Sequence, residues 1–446
     1  METSIYGDKP TVFEGSTLGL RSELDLFSLP ETNVSQLQTS DHVQFFPLLS
    51  VREPNNPIEF IINVGNNSYL DLSDSYLSVT ARIKKADGTV VGTETVVPSN
   101  LFFQTMFSNL TVHLNGKLIF DAGNNYALSS YIQRVLTTPE NIKNTKLRNE
   151  LYYANTDGTF TGTNKGYAAR FALAGASKSF TMLGRLVCGL FQNSRWLPPG
   201  SEIKISLRRS PPHFCLDNKD LVVSQKTLSY VYEIEDATFY AARRPVSNRI
   251  LQLHESLLNK GETFKYVLQD PVVKTIHVPA GLSSCTTDSI IIGKIPQYLV
   301  IAMNKSSALA GKLNEDAFRF GHHNLKNVSV HWSSDSMEQR SVGMNFSTTT
   351  NTAADNYLIA LNSLNKTMPN EMMTNGITRE SYKDGQTFVA FELLPRVDQA
   401  LSVNRRGTCK ISLDFREPLA EPITVIVYCL YQSVLEIDRD RQVTVE

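Results

Sequence analysis

Hydrophobic and polar residues alternate most cleanly near the end of the chain, where the sequence reads TCKISLDFREPLAEPITVIVYCLYQSVLEIDRDR from Thr408. Cys409, Ile411, Leu413 and Phe415 fall on one side, and Lys410, Ser412 and Asp414 on the other. Beyond the break at Pro418 and Pro422, Ile423, Val425, Val427 and Cys429 share a face, with Val434, Leu435 and Ile437 further on. A period of two buries one face of an antiparallel sheet and wets the other. The chain is expected to tie its last strand into such a sheet.

The same period recurs upstream. Strands are predicted at Val43–Phe46, at Ile58–Val64 and through SYLSVTARIK, where Leu77, Val79, Ala81 and Ile83 share a face. Ala86-Asp87-Gly88 is expected to turn that strand into a hairpin with Thr89–Val97. LTVHLNGKLIF reads as two short strands around Asn115-Gly116, a strong two-residue hairpin signal. Helical spacing interrupts at Tyr126, Leu128, Tyr131, Ile132, Val135 and Leu136, with Asn124 and Asn125 as candidate caps and Pro139 as the stop. A further helix is expected over 139–151, then a Gly/Thr-rich exposed loop, TDGTFTGTNKG. Strands resume at Phe180–Val187, Glu202–Leu207 and Leu228–Tyr240.

Ala241-Ala242-Arg243-Arg244-Pro245 reads as a boundary, after which the pattern restarts. Strands are predicted at Thr263–Leu268, Val272–Val278, Ile290–Ile292, Tyr298–Met303, Val328–Trp332 and Thr387–Leu394, with a helical segment at Ala353–Leu364. Lys204-Ile205-Ser206-Leu207 recurs as Lys410-Ile411-Ser412-Leu413, each opening a penultimate strand, although a tetrapeptide match is expected by chance. The repeated strand order matters more. It makes the fold class all-β: two tandem antiparallel jelly-roll β-sandwiches (a double jelly roll) with short embedded helices. The divisions are an arm at 1–40, jelly roll 1 at 41–243 and jelly roll 2 at 244–446.

Composition agrees with that division. A chain of 446 residues fits two domains of about 200 residues. Hydrophobic content of 41% suffices for two cores, and 43 basic against 44 acidic residues leave no bulk field toward nucleic acid or anionic membrane. The polar arm is acidic, with Glu2, Asp8, Glu14, Glu23, Asp25 and Glu31 against Lys9 and Arg21, so it reads either as a loosely ordered terminus or as a segment whose partner is protein rather than phosphate. The five cysteines, Cys188, Cys215, Cys285, Cys409 and Cys429, contain no CxxC pair. Their odd number points to a reducing compartment without a disulfide framework. No signal-peptide pattern and no membrane span are expected. The triplets Asn109-Leu-Thr111 and Asn327-Val-Ser329 then read as compositional noise.

No catalytic constellation emerges. His254-Glu255 begins like a zinc-protease helix, but Leu258 replaces the second ligand. Gly175-Ala176-Ser177-Lys178-Ser179 has the Lys-Ser of a phosphate loop, yet Arg170 stands where its first Gly belongs. His322, His323 and His331 are expected to hydrogen-bond rather than share a metal. Glu233 and Glu235 lie on one side of a strand beside Asp236, a pattern more common on a solvated face than in a glycosidase. Arg208-Arg209, Arg243-Arg244 and Arg405-Arg406 follow strand ends or sit in linkers, where solvation, intersubunit ion pairs or non-specific contact with nucleic acid are the candidate roles. No catalytic, cofactor-binding or metal-ligating residue is assigned, and no cofactor is expected.

Through PIEFIINVGNNSYLDLSDSYLSVTARI, NLFFQTMFSNLTVHLNGKLI, GYAARFALAGASKSFTMLGRLVCGLFQNSRWLPPGSEIKISLRRSPPHF, KIPQYLVIAMNKSSALAGKLNEDAFRFGHHNLKNVSVHW and FREPLAEPITVIVYCLYQSVLEIDRDRQV, the chain resembles the double jelly-roll major capsid proteins of Polinton (Maverick) elements, the relatives of adintoviruses. The resemblance covers nearly the whole chain outside the arm. It implies homotrimers forming pseudo-hexagonal capsomers and an icosahedral virion capsid around double-stranded DNA, made intracellularly. Implied partners are neighbouring capsomers, a penton protein and other minor capsid proteins, a maturation protease and, at most non-specifically, the packaged DNA. The Gly/Thr-rich loop at 156–166 then suits an outer crown or trimer contact, and the arm a clamp between neighbours. The rival readings are a glycan- or protein-binding tandem sandwich, a glycosidase or lyase, and a domesticated capsid gene.

Overall fold

Alternation lays down the framework strands. In Ser68–Lys85 the residues Leu77, Val79, Ala81 and Ile83 are fully buried while Ser78, Thr80, Arg82 and Lys84 between them are not. The computed structural model describes residue 26 and residues 39–92, 95–156, 163–218, 230–312, 314–333, 337–346, 375–394 and 401–446. The helical pattern at 353–364, nearly all of the arm and the centre of the Gly/Thr-rich loop lie outside the described residues.

The first half contains β1 (Asp41–Phe45), β2 (Ile58–Ile62), β3 (Ser68–Lys85), β4 (Val96–Pro98), β5 (Phe107–Leu114), β6 (Lys117–Asp121), β7 (Phe180–Gly184), β8 (Ile203–Arg209), β9 (Leu216–Asn218) and β10 (Tyr230–Pro245). The second contains β11 (Phe264–Val278), β12 (Ser284–Thr286), β13 (Ile291–Lys294), β14 (Tyr298–Lys305), β15 (Leu325–Ser333), β16 (Met337–Gly343), β17 (Val389–Glu392), β18 (Arg406–Phe415), β19 (Ile423–Ile437) and β20 (Val443–Val445). Two sheets, β1-β10-β3-β7 and β2-β8-β5-β6, enclose the first core, and β4 pairs with β9 beside them. The second half repeats that order as β11-β19-β14-β17, with β20 on β19, against β12-β18-β15-β16, with β13 also on β18. All described pairings between the named strands are antiparallel and stay within one half, which is the double jelly roll.

The repeat reaches individual residues. His113 opposes Lys204 across β5 and β8, and His331 opposes Lys410 across β15 and β18. Asn-Leu-Thr-Val-His at 109–113 thus occupies the register of Asn-Val-Ser-Val-His at 327–331, and both copies of Lys-Ile-Ser-Leu occupy the facing strand. A bulge falls at the same step in each pair, between Phe107 and Asn109 and between Leu325 and Asn327. The tetrapeptide dismissed as chance is therefore structurally equivalent in the two halves, as are the two Asn-x-Ser/Thr triplets.

Several local expectations need correction. Asn115 and Gly116 do take the positive φ values, 49° and 81°, of the expected hairpin turn. The turn at 86–88 forms too, but its expected hairpin shrinks to the single bridge Lys84–Val90, because β3 pairs with β7 and β10 instead. The expected 139–151 helix is a four-residue helix, Glu140–Lys143, followed by the 3-10 turn Lys146–Glu150. Ala241–Pro245 is the end of β10, paired with β3, rather than a linker. The two strands expected around Pro271 are one, β11, whose edge position tolerates a proline. Helices Lys165–Ala174 and Asn248–Asn259 were not anticipated.

The closing strands differ most instructively. Ile423, Val425, Val427 and Cys429 are buried as expected, yet Ile426, Tyr428 and Leu430 on the opposite side are buried as well. Helix Tyr126–Thr137 from the first half joins the second core there, through Leu128, Tyr131, Ile132, Val135 and Leu136. In exchange Tyr266, Leu268, Leu435, Ile437 and Val443 belong to the first core. Each half thus lends part of its apolar surface to the other. Burying the five helix side chains alone is worth on the order of 10 kcal/mol as an upper bound.

Candidate functional site

The residues singled out for chemistry are dispersed, each with a local occupation. Glu233 faces Lys84, which holds its carboxyl below the usual range, and Arg82 reaches Glu235 at 2.5 Å. A bulge between Ile234 and Asp236 puts Asp236 out of step with them. Arg243 pairs with Asp41, and Arg244 spans Asp71 at 2.9 Å and Asp74 at 2.6 Å. These two arginines lie inside β10 and hold the edge of the first sandwich, contrary to their expected linker setting. Arg209 donates to the Val51 carbonyl.

His254 lies on helix Asn248–Asn259 with Nδ1 2.5 Å from the Tyr69 hydroxyl and its ring edge-on to Phe264. Burial pushes its pKa down. Ser177, one of two consecutive residues with φ of 54°, donates to the Ile83 carbonyl and accepts the Val91 amide, fastening its loop to β3. Lys178 donates to the Ala172 carbonyl at 3.1 Å. His322 stacks on Phe346 at 4.3 Å, and burial, assisted by His323, pushes its pKa down to about 4. Among the described residues no three metal-ligating side chains converge. The cysteines are free thiols, and burial pushes Cys409 and Cys429 up to about 12.

What the fold does bring together is a seam between the sandwiches. Tyr131 lies at its centre, buried, with its ring 4.6 Å from Phe318 and 6.1 Å from Phe320. Its hydroxyl accepts from Asn100 at 3.1 Å. Asn125 occupies the expected N-cap position of helix Tyr126–Thr137, but its side chain donates to the Val273 carbonyl on β11 rather than capping the helix, and Asn155 donates to Asp316 at 2.7 Å. Lys143, 4% exposed, donates to the carbonyls of Val135 and Asn375, and desolvation pushes its pKa down to about 7. A cavity of about 420 Å³ opens beside Tyr131, Lys143, Asp316 and Arg319.

On the other flank Gly189 donates to Asp270 at 2.8 Å, Asn193 to the Val267 carbonyl and Tyr266 to the Trp196 carbonyl. A side chain at 189 would place Cβ 2.8 Å from both Asp270 Oδ1 and the Gln269 nitrogen, so glycine permits this close approach. Burial raises the Asp270 carboxyl to about 6.

Arg170 anchors the first half of the seam. It is fully buried and donates to the carbonyls of Pro98 and Tyr153, to Asn155 and to Asp217. Four acceptors from three segments, near 98, 153–155 and 217, converge on one guanidinium, whose planar fork of donors suits them. Sequence reasoning weighed Arg170 only as a misfit in a phosphate loop. The seam residues carry no motif, and their chemistry is positional: they fix one sandwich against the other.

Outside the seam, apolar side chains reach solvent at Phe46, Leu48 and Leu49 beyond β1, at Ile292, Leu401 and Val403 on the second half, and at Leu253 and Leu257 on helix Asn248–Asn259. No described helix is long and apolar enough to cross a membrane.

No protein-family model matches the chain. The uncharacterized protein F54H12.2 of Caenorhabditis elegans is 20% identical over 394 residues, covering 86% of this chain and 91% of that protein. Among solved structures, the cryo-EM structure of the virophage Sputnik aligns over 97% of this chain and 93% of its own, with a TM-score of 0.65 and 12% identity. The mavirus major capsid protein aligns over 98% of this chain and 97% of its own, with a TM-score of 0.53 and 11% identity. The Faustovirus major capsid protein covers 92% of each chain, with a TM-score of 0.53 and 10% identity. The chain shares the double jelly-roll fold of these viral capsid proteins along nearly its whole length.

Proposed function

We propose that the chain is a major capsid protein of the Polinton (Maverick) type. It assembles into homotrimeric, pseudo-hexagonal capsomers and an icosahedral shell around double-stranded DNA, made inside the cell and carried in the virion. The observation that carries this reading is the welded pair of sandwiches with identical strand order, a fold shared end to end with proteins named as major capsid proteins. Jelly roll 1 is taken from residue 41 to the end of β10 at Pro245, just past the 243/244 division expected from the sequence, and jelly roll 2 as the remainder to 446. A rigid two-lobed chain makes a six-lobed trimer, and six lobes tile a hexagonal lattice with one gene product. Two sandwiches that hinged freely would lose that lattice, which gives the seam its function.

The reading assigns no catalysis to the chain. Its partners are further copies of itself, a penton protein and other minor capsid proteins, with DNA held at most through backbone charge. The nematode relative supports carriage in an animal genome, either as an element or as a domesticated capsid gene. Electron microscopy of the purified protein, with a nuclease-protection assay on its particles, tests the proposal. Closed shells protecting double-stranded DNA support the element, and closed empty shells the domesticated gene. Absence of any regular assembly rejects the capsid reading.

A further inference from the structure

Helix Asn248–Asn259 turns part of its apolar surface outward. Leu258 is buried and His254 packs against Tyr69 and Phe264, which settles the inner side. A 3.6-residue period then places Arg249, Leu253, Leu257 and Lys260 together on the outer side. Leu253 is 53% exposed and Leu257 40%, while Arg249 and Lys260 are exposed at the two ends of the ridge. The acid of that helix, Glu255, lies away from the ridge by the same period. The result is a leucine pair between two cations.

One segment of the same chain has the matching chemistry. Residues 1–40 carry six acids against two bases, and within them Glu23-Leu24-Asp25-Leu26-Phe27 alternates acidic with large apolar side chains. The arm enters the fold at Asp41, opposite Arg243 on β10, a few residues before the helix begins. Leu29 to Asp41 spans at most roughly 40 Å when extended, enough to reach beyond one subunit. Leu26 is 78% exposed and the ridge leucines are open too, so within a single chain neither covers the other.

Resting on the capsid reading, we infer that the acidic-apolar segment 23–29 of each copy docks on the Arg249–Leu253–Leu257–Lys260 ridge of a neighbouring copy. Leucine-on-leucine burial supplies affinity, and the flanking charges set register. Exchange of an identical element between copies makes the contact repeatable around a closed ring or across a shell.

Two differently tagged full-length chains test it, both in a Cys285→Ser background that leaves the four buried cysteines. One carries Leu26→Cys and the other Leu257→Cys, so any engineered disulfide between them joins two molecules. Co-expressed and oxidised after light scattering confirms assembly, they should yield a linked pair of about twice the 49.8 kDa chain. Yield should exceed that of a Leu183→Cys control by about tenfold, fall to the control level with Arg249→Glu and Lys260→Glu, and recover with Glu23→Lys and Asp25→Lys. Assemblies without the linked pair, or a yield indifferent to the charges, overturn the docking while leaving the capsid reading intact. Linkage only inside a doubly substituted chain overturns the exchange between copies. A chain that stays monomeric under all conditions ends both.

Discussion

Replacing Tyr131 by alanine should uncouple the two sandwiches. Tyr131 projects from a first-half helix into the second core, where it meets Phe318 at 4.6 Å and Phe320 at 6.1 Å. Truncating a buried aromatic costs about 3–5 kcal/mol through lost transfer energy and the cavity left behind. The two ring pairs are worth about 0.5–1.5 kcal/mol each beyond their area, and part of that is already inside the first figure. Asn100 also loses the acceptor 3.1 Å from its amide, at a cost of about 1–3 kcal/mol. The expected loss is about 4–6 kcal/mol, concentrated at the seam. Two tryptophans make it measurable by halves, since Trp196 lies in the first half and Trp332 in the second core. In urea titrations of Trp196→Phe and Trp332→Phe backgrounds, the intact seam should give coincident transitions for the two reporters. Tyr131→Ala should lower both midpoints and separate them, because the halves then melt independently. Tyr131→Phe isolates the hydroxyl and should cost about 1–3 kcal/mol without separation. If Tyr131→Ala costs less than about 1 kcal/mol, or leaves the transitions coincident and unshifted, the seam is not what holds the sandwiches together.

Two other substitutions probe the same architecture. Arg170→Met keeps the side-chain length but strands Asp217 and three further acceptors, and should cost about 3–5 kcal/mol in chemical denaturation. Adding Asp217→Asn should recover part of that loss by removing the buried acid. Desolvation pushes the Lys143 ammonium down to about 7 in the folded chain from an ordinary 10.5, so between those values the unfolded chain binds more protons. Stability should therefore rise with pH across that window, by up to about 1.4 kcal/mol per pH unit. Lys143→Met should flatten that slope in melting curves from pH 7 to 10, and an unchanged slope would show that Lys143 is not its source.

The framework was legible because strand alternation is local. Leu77 to Ile83, Cys409 to Phe415 and the Asn115-Gly116 turn each need only neighbouring residues to declare themselves. Burial of both faces of β19 was not legible, since the helix that covers its outer side lies almost 300 residues upstream. Arg170 was unreadable for the same reason: its acceptors come from segments near 98, 153–155 and 217. Helix Asn248–Asn259 was readable from Ile250, Leu251, His254 and Leu258 at helical spacing, but Arg243-Arg244-Pro245 masked it by resembling the start of a linker. The repeated Lys-Ile-Ser-Leu needed the register. Once His113 and His331 oppose the two lysines, a chance match becomes a shared strand pair.

The most direct test of the capsid account is the mass of the purified full-length chain in solution, by light scattering after size exclusion, over a range of salt and pH. The account predicts a stable species at three times the 49.8 kDa chain, converting to closed shells. A monomer that persists at every salt concentration and pH would contradict it.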